Sequence, residues 1–229
     1  MSAKFEPHRL LQTLPLQIAD QLTASIIDGQ FPPGDRLLET ELAESCKVSR
    51  ATIRESLRLL EQRGLVTIQP QRGARVTLLS AKELDDLFEV RASLLATGSR
   101  LAAERCSQIA AAELREYLAR LKKNVRDPAG YANTSAALVE FLMQMSGNAV
   151  LAGYIRDFAL RIGRYVRLGL STQQRRKASI AAWEQIIEAI TEGDGPRASA
   201  AHRDLALANR EAALVQFNLQ SGTVSPRAR

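Results

Sequence analysis

A three-residue turn between two amphipathic segments constrains the fold of this chain more than any other sequence feature. The segment ETELAES carries apolar residues at helical spacing and is followed by Cys46-Lys47-Val48. Ser49 then opens a longer amphipathic segment, and Gly64 is placed to end it. Serine is a favoured helix N-cap and glycine a favoured residue after a helix C-terminus. The sequence therefore predicts two helices joined by a tight turn.

The segments around this helix pair extend the pattern. A helical segment begins near Pro15 and ends at FPPGD, and the β-rich runs LVTIQ and ARVTLL flank the turn PQRG. The order helix, helix, short turn, helix, hairpin predicts a winged helix-turn-helix. From Lys82 onward the sequence offers no strand candidate and predicts six or seven helices. We therefore expect a mainly α fold, with a small β-hairpin wing in the first domain and an all-α helical bundle in the second.

These patterns divide the chain into four predicted parts. They are a flexible arm at 1–13, a winged helix-turn-helix domain at 14–79, an all-helical domain at 80–217 and a disordered tail at 218–229. The chain has no run of eighteen apolar residues and no hydrophobic signal core, so we expect a cytoplasmic protein without a membrane partner. It has no G-x-S-x-G motif, paired histidines or phosphate-binding glycine loop, so we expect no enzyme.

The positive charge of the chain is concentrated in one region. The net charge is +6, and residues 47–76 carry seven basic residues against two acidic ones. Within this region the helix that begins at Ser49 has a basic face and an apolar face: Arg50, Arg54 and Arg58 against Ile53, Leu57 and Leu60. A solvated arginine face on an ordinary helix would look the same. The tight turn, the basic helix and the basic hairpin tip Arg72-Gly73 together favour DNA binding.

Residues 15–77 resemble the N-terminal domain of GntR-type bacterial transcription regulators. The matching stretches are PLQIADQLTASIIDGQFPPGDRL, ETELAESCKVSRATIRESLRLLEQRGLVTI and QRGARV. The resemblance implies that double-stranded, roughly palindromic operator DNA is contacted by a defined set of residues: Thr40, Ser49, Arg50, Thr52, Arg54, Arg72 and Gly73. Ala51 stands where other members often have a polar residue, so we expect one base contact to be missing.

The helical remainder resembles the FadR-type (FCD) effector domain. The matching phrases are EVRASLL followed by RLAA, SGN at 146–148 and IIEAITEGD at 186–194. The resemblance implies a homodimer and a helical bundle around a cavity for a small organic acid or acyl derivative. Many members hold a metal ion in this cavity with one aspartate and three histidines. We therefore expect a DNA-binding regulator, acting as a repressor, that responds to an effector.

The metal ligands of that family are missing from this sequence. The matching positions hold Ser135, Val139, Trp183 and, at or near the fourth, Leu205. None of these side chains is a suitable metal ligand. The chain has only two histidines: His8 lies in the arm, and His202 lies one turn before the fourth position. We therefore expect no metal and no other cofactor.

Two possibilities remain for the cavity. In the first, the apolar replacements fill it, and the protein is a constitutive dimeric DNA-binding protein that binds no effector. In the second, a metal-free pocket holds an organic ligand next to Trp183. Arg91 and Arg161 are predicted to face inward, where a guanidinium would suit a carboxylate. The predicted effector-binding set is Arg91, Ser135, Val139, Arg161, Trp183 and Leu205.

Overall fold

The computed structural model describes the backbone of residues 13–223 and the side chains of residues 13–219. The chain divides into two compact units between Leu78 and Leu79. The first unit contains α1 (Leu14–Ile27), β1 (Arg36–Leu37), α2 (Glu39–Cys46), α3 (Arg50–Gln62), β2 (Val66–Gln69) and β3 (Gly73–Val76). The second contains α4 (Ala81–Glu104), α5 (Gln108–Lys123), α6 (Pro128–Met145), α7 (Ala149–Gly169), α8 (Gln173–Thr191) and α9 (Gly195–Thr223).

The first unit is a winged helix-turn-helix, which confirms the predicted fold. Its sheet is antiparallel with the strand order β1-β3-β2, so β3 lies in the middle. The predicted hairpin is β2 and β3, but β3 ends at Val76 and does not continue to Leu79. Strand β1 was not predicted, because two residues are too few to show an alternating pattern. The wing is therefore a three-stranded sheet.

Helix α3 is anchored by its apolar face. Ile53, Leu57 and Leu60 are at most 1% exposed, and α1 packs against this helix. At its C-terminal end, Arg63 forms an ion pair with Asp20 at 2.7 Å and donates to Thr23 Oγ1 at 3.1 Å. These contacts hold α3 against α1, so its opposite face is free to carry the basic residues.

The second unit is a bundle of helices α4 to α9 in which α4 contacts α6, α7, α8 and α9. Its core is apolar and includes the largest buried side chains of the unit: Leu84, Phe88, Leu95, Leu114, Leu121, Tyr131, Leu138 and Trp183. The helix starts are specified locally, because a side-chain oxygen accepts a backbone N–H bond at each N-cap. The N-caps of α4 to α8 are Ser80, Ser107, Asp127, Asn148 and Thr172.

One prediction about the C-terminal end of the chain was wrong. Helix α9 continues to Thr223, so residues 218–223, predicted as part of a disordered tail, are helical. The remaining tail, 224–229, and residues 1–12 of the predicted arm lie outside the described residues. Within residues 13–223, no helix combines the length and the apolar character needed to cross a membrane.

Candidate nucleic-acid interface and buried cavity

The N-terminus of α3 is built as the sequence predicts. Ser49 is the N-cap, and its Oγ accepts a hydrogen bond from the Thr52 backbone N–H at 3.1 Å. The Ser49 and Thr52 hydroxyls lie 2.8 Å apart and are hydrogen-bonded to each other. A capped helix start presents small hydroxyl side chains and backbone N–H groups, which suit a phosphate or a base edge.

The basic face of α3 is exposed to solvent. Arg50, Arg54 and Arg58 are all exposed, whereas Thr52 is half-buried. Thr40 is exposed near the start of α2, next to Glu39. The Glu39 carboxylate bonds to Arg54, and this contact places the first turn of α2 beside α3. The structure therefore brings the first turn of α2, which carries Thr40, next to the basic face of α3.

The pairing between Arg54 and Glu39 is bidentate. Arg54 Nε donates to Glu39 Oε1 at 3.1 Å, and Arg54 Nη2 donates to Glu39 Oε2 at 2.8 Å. The hydrogen bond from Arg54 lowers the pKa of Glu39, and the charges of Arg54 and Arg50 act in the same direction. Sequence reasoning missed Glu39, because fifteen residues separate it from Arg54 and no local pattern joins the two.

The wing tip carries the other predicted DNA contacts. Arg72 and Gly73 are exposed, and the Arg72 backbone N–H donates to Gln69 O at 3.1 Å across the turn. Gln71 and Gly73 adopt positive φ angles of 62° and 79°. Glycine adopts a positive φ without steric strain, which suits Gly73 to its place at this turn.

Strand β1 adds a basic residue that the sequence did not assign to the wing. Arg36 pairs directly with Arg75 across β1 and β3. Its Nε lies 3.8 Å from the position that a Cβ on Gly73 would occupy. The Arg75 Nη1 group donates to Gly34 O at 2.9 Å. Both arginines are exposed, so Arg36 and Arg75 add positive charge to the surface of the wing.

A cavity of about 30 Å³ lies inside the helical unit. It is lined by five of the six residues that the sequence predicted for the effector site: Arg91, Ser135, Val139, Trp183 and Leu205. These residues come from α4, α6, α8 and α9, which are separated along the chain. The structure therefore brings this set together at one place.

The sixth residue, Arg161, does not face inward as the sequence predicted. Its side chain is exposed and does not line the cavity. Ile162 and Tyr165 of the same helix are buried at 0% and 3% exposure, as expected. Successive helical residues differ in direction by about 100°, so Arg161 lies at the edge of the buried face. From there its long side chain extends into solvent.

Arg91 is a buried cation without a hydrogen-bond partner at its Nε. It is 9% exposed, and no acceptor among the described residues lies within reach of Nε. Burial lowers the pKa of Arg91 to about 10. Trp183 Nε1 and Asn209 Oδ1, on two other lining residues, are also buried without partners in the described part of the chain. The cavity wall thus offers unused donors and one unused acceptor.

His202 lines the cavity and was not in the predicted set. It is 1% exposed, and its Nδ1 lies 2.6 Å from Ser99 Oγ. Its ring packs edge-on against Trp183, with 5.0 Å between centroids. Burial, reinforced by the charge of Arg91, lowers the pKa of His202 to about 3, so the ring is neutral at neutral pH. The nearby Leu205 was the predicted position, and the two share a helix face because they are three residues apart.

These residues do not fit a metal ion. The cavity wall offers one imidazole, of which Nδ1 is already bonded to Ser99. Ser135, Val139 and Trp183 supply a hydroxyl, an isopropyl group and an indole N–H, where a divalent ion needs imidazole or carboxylate ligands. Across the side chains that the structure describes, no group of three or more His, Cys, Asp or Glu residues could hold a metal ion.

Comparison with known proteins assigns both units. Residues 14–76 match the model of the bacterial regulatory proteins of the gntR family, and residues 86–207 match the FCD domain. An uncharacterized HTH-type transcriptional regulator in an unstable DNA locus of Streptomyces ambofaciens is 33% identical over 184 residues, 80% of this chain and 78% of the relative. The Nta operon transcriptional regulator of Aminobacter aminovorans is 35% identical over 151 residues, 66% of this chain and 71% of the relative.

Other similarities cover a smaller part of the chain or concern the fold alone. An uncharacterized HTH-type transcriptional regulator of Bacillus subtilis (strain 168), YdhC, is 44% identical over 79 residues, which are 34% of this chain and 35% of the relative. The solved structure of E. coli McbR/YncC superposes with a TM-score of 0.76 at 20% identity and covers 92% of this chain and all of its own. Since the gntR-family and FCD matches together cover most of the chain, the protein belongs to the GntR family of DNA-binding transcription regulators, with an FCD domain as its second unit.

Proposed function

We propose that this protein is a sequence-specific repressor that binds a roughly palindromic operator as a homodimer and responds to a small anionic effector. The exposed basic face of α3 and the basic wing support the DNA-binding part. Each subunit would read one half-site with the N-terminal residues of α3, while the wing contacts the backbone or the neighbouring minor groove. The proposed contacts are Thr40, Ser49, Arg50, Thr52, Arg54, Arg72 and Gly73, all in the described first unit.

The observation that carries the effector proposal is the buried Arg91 without a partner at Nε. An unpaired buried polar group costs about 1–3 kcal/mol, and an unpaired charge costs more. Such a group is retained where a ligand completes its hydrogen bonds. The Arg91 and Trp183 N–H groups could donate to a carboxylate, and Asn209 Oδ1 could accept from a hydroxyl beside it. A small hydroxy acid would satisfy all three groups without a metal ion.

The size of the cavity favours a second candidate. A volume of about 30 Å³ has room for one or two water molecules. An organic acid would have to displace side chains such as Trp183 or Val139 to enter. If no ligand does so, the protein is a constitutive dimeric DNA-binding protein, and ordered water completes the hydrogen bonds of the cavity.

A thermal shift screen with organic acids, hydroxy acids and acyl-CoAs distinguishes these candidates. Under the proposal, at least one acid raises the melting temperature and weakens operator binding by about 5–150-fold, the range of a typical allosteric coupling. The Arg91→Met variant should lose both responses. Arg115→Met, at an exposed position of α5, should keep them. A screen in which no compound changes either quantity would support constitutive binding.

A further inference from the structure

Glu39 holds the Arg54 guanidinium by one edge and leaves the other edge free. The pairing uses Arg54 Nε and Nη2, at 3.1 Å and 2.8 Å from the two carboxylate oxygens. A guanidinium has five N–H bonds, so this edge-on pairing occupies the Nε–H bond and one of the two on Nη2. Both bonds of Nη1 and the second bond of Nη2 remain. The parallel pair at this free end matches guanine O6 and N7.

The pairing also changes how Arg54 interacts with phosphates. A bare arginine near DNA is attracted to any phosphate, which contributes affinity without sequence information. The Glu39 carboxylate offsets that charge but does not block the hydrogen bonds at the free end. It also orders a long side chain before DNA arrives, which reduces the entropy cost of binding. Glu39 is half-buried, with a side-chain exposure of 28%, whereas Arg54 is 54% exposed.

Glu39 differs from the other acids near the recognition surface. Glu41 and Glu44 are exposed on the same helix, and Glu55 is exposed on α3. Glu39 alone among these four has its two carboxylate oxygens bonded to an arginine of the basic face in the described structure. Arg50 is also close enough for its charge to act on Glu39. The Glu39 carboxylate thus bonds to one proposed DNA-contacting arginine and is influenced by the charge of a second.

We infer that Glu39 is a positioning residue for DNA recognition, which aims Arg54 at a guanine and reduces its attraction to phosphates of any sequence. The inference rests on the proposed role of Arg54 as a base-contacting residue. It predicts that loss of the carboxylate weakens specific binding and strengthens non-specific binding. A residue that only stabilised the fold would weaken both.

The test compares the full-length wild type with Glu39→Gln, Arg54→Ala and the charge-matched control Glu41→Gln. The specific probe is a duplex that the wild-type protein selects from a random-sequence pool, and the non-specific probe is its scrambled counterpart. Affinities for both are measured over a range of salt concentrations. For Glu39→Gln we expect the ratio of specific to non-specific affinity to fall about tenfold, and the salt dependence on the scrambled duplex to steepen by about one counterion.

A second measurement identifies the base pair concerned. Each guanine of the selected duplex is replaced in turn by 7-deazaguanine, which lacks N7. Arg54→Ala should abolish discrimination at one guanine per half-site, and Glu39→Gln should weaken discrimination at that same guanine and at no other. If Glu39→Gln matches Glu41→Gln at every position while Arg54→Ala loses one, the inference about Glu39 is overturned. If Arg54→Ala also loses none, the proposed role of Arg54 fails, and the inference fails with it. Equal melting temperatures show that both glutamate variants fold.

Discussion

The two candidate sites of this protein use arginine in opposite ways. On α3, Arg54 is exposed to water and yet bonded to both carboxylate oxygens of Glu39. In the helical unit, Arg91 is buried and has no hydrogen-bond partner for its Nε in the described structure. Water would solvate the exposed Arg54 guanidinium even without Glu39. The ion pair therefore fixes the orientation of Arg54 more than it stabilises the fold. The buried Arg91 lacks the hydrogen-bond partner that would offset its desolvation, and under the proposed function a ligand supplies that partner.

Substitutions at the exposed site should change operator affinity more than any other substitution discussed below changes the property it tests. Arg50→Ala or Arg54→Ala should lower operator affinity at least about a hundredfold, because two half-sites each lose a guanine or phosphate contact. Arg115→Ala removes an exposed arginine from α5 and should change affinity little. Mobility-shift titration measures the affinities, and size-exclusion chromatography checks that the oligomeric state is unchanged. Wild-type affinity in both α3 variants would contradict the assignment of α3 as the recognition helix.

The next prediction concerns the buried site and the dependence of the free energy of unfolding on pH. His202 has its pKa lowered from 6.5 to about 3 in the folded protein. Between these values the unfolded chain binds a proton that the folded chain does not, so stability falls as the pH falls through this window. From pH 7 to pH 5 the contribution of His202 amounts to a loss of about 2 kcal/mol in the free energy of unfolding.

The control for this prediction is His202→Gln, which keeps every other titrating group. Urea unfolding can be followed by the fluorescence of Trp183, since it is the only tryptophan of the chain and lies against His202. The wild type should lose about 2 kcal/mol more than the variant between the two pH values. Equal losses would show that the imidazole is not buried in its neutral form.

The contrast between the sites also explains what the sequence could predict. The winged domain follows from local signals: the Ser49 cap, the apolar stripe of α3 and the hairpin turn are each visible within a few residues. The contacts that pair distant segments are not visible locally. Strand β1 forms only because Arg36 and Leu37 pair with β3. Glu39 bonds to Arg54 only because the fold brings α2 next to α3.

The sequence predicted which positions line the cavity better than it predicted which polar groups they present. Family spacing located Ser135, Val139, Trp183 and Leu205, and the structure brings them together around one cavity. Family spacing did not distinguish His202 from Leu205, because both lie on the same face of α9. It also could not show which arginine is desolvated. Arg91 and Arg161 are both arginines on amphipathic helices, and only packing against neighbouring helices decides that Arg91 is buried.

A smaller effect sharpens the contrast between the two arginines. Arg91→Met removes a buried charge without a hydrogen-bond partner at Nε and keeps an unbranched apolar stem. We therefore expect it to raise the free energy of unfolding by about 1–3 kcal/mol. Arg115→Met, at an exposed position, should leave it nearly unchanged. Urea unfolding at neutral pH measures both. A strong destabilisation by Arg91→Met would mean that Arg91 stabilises the folded protein, which would contradict its proposed role in binding a ligand.

The smallest expected effect is that of a chelator. The cavity offers one imidazole whose Nδ1 is already bonded to Ser99, so EDTA should not change the melting temperature or the operator affinity. Elemental analysis of purified protein should find zinc, nickel and manganese well below one equivalent. The double variant Ser135→Asp, Val139→His is a positive control, because residues four apart share a helix face and would add two ligands near His202. One equivalent of metal in the wild type, lost in His202→Gln, would show that the protein holds a metal ion through His202 and that Ser135, Val139 and Trp183 do not mark the ligand positions.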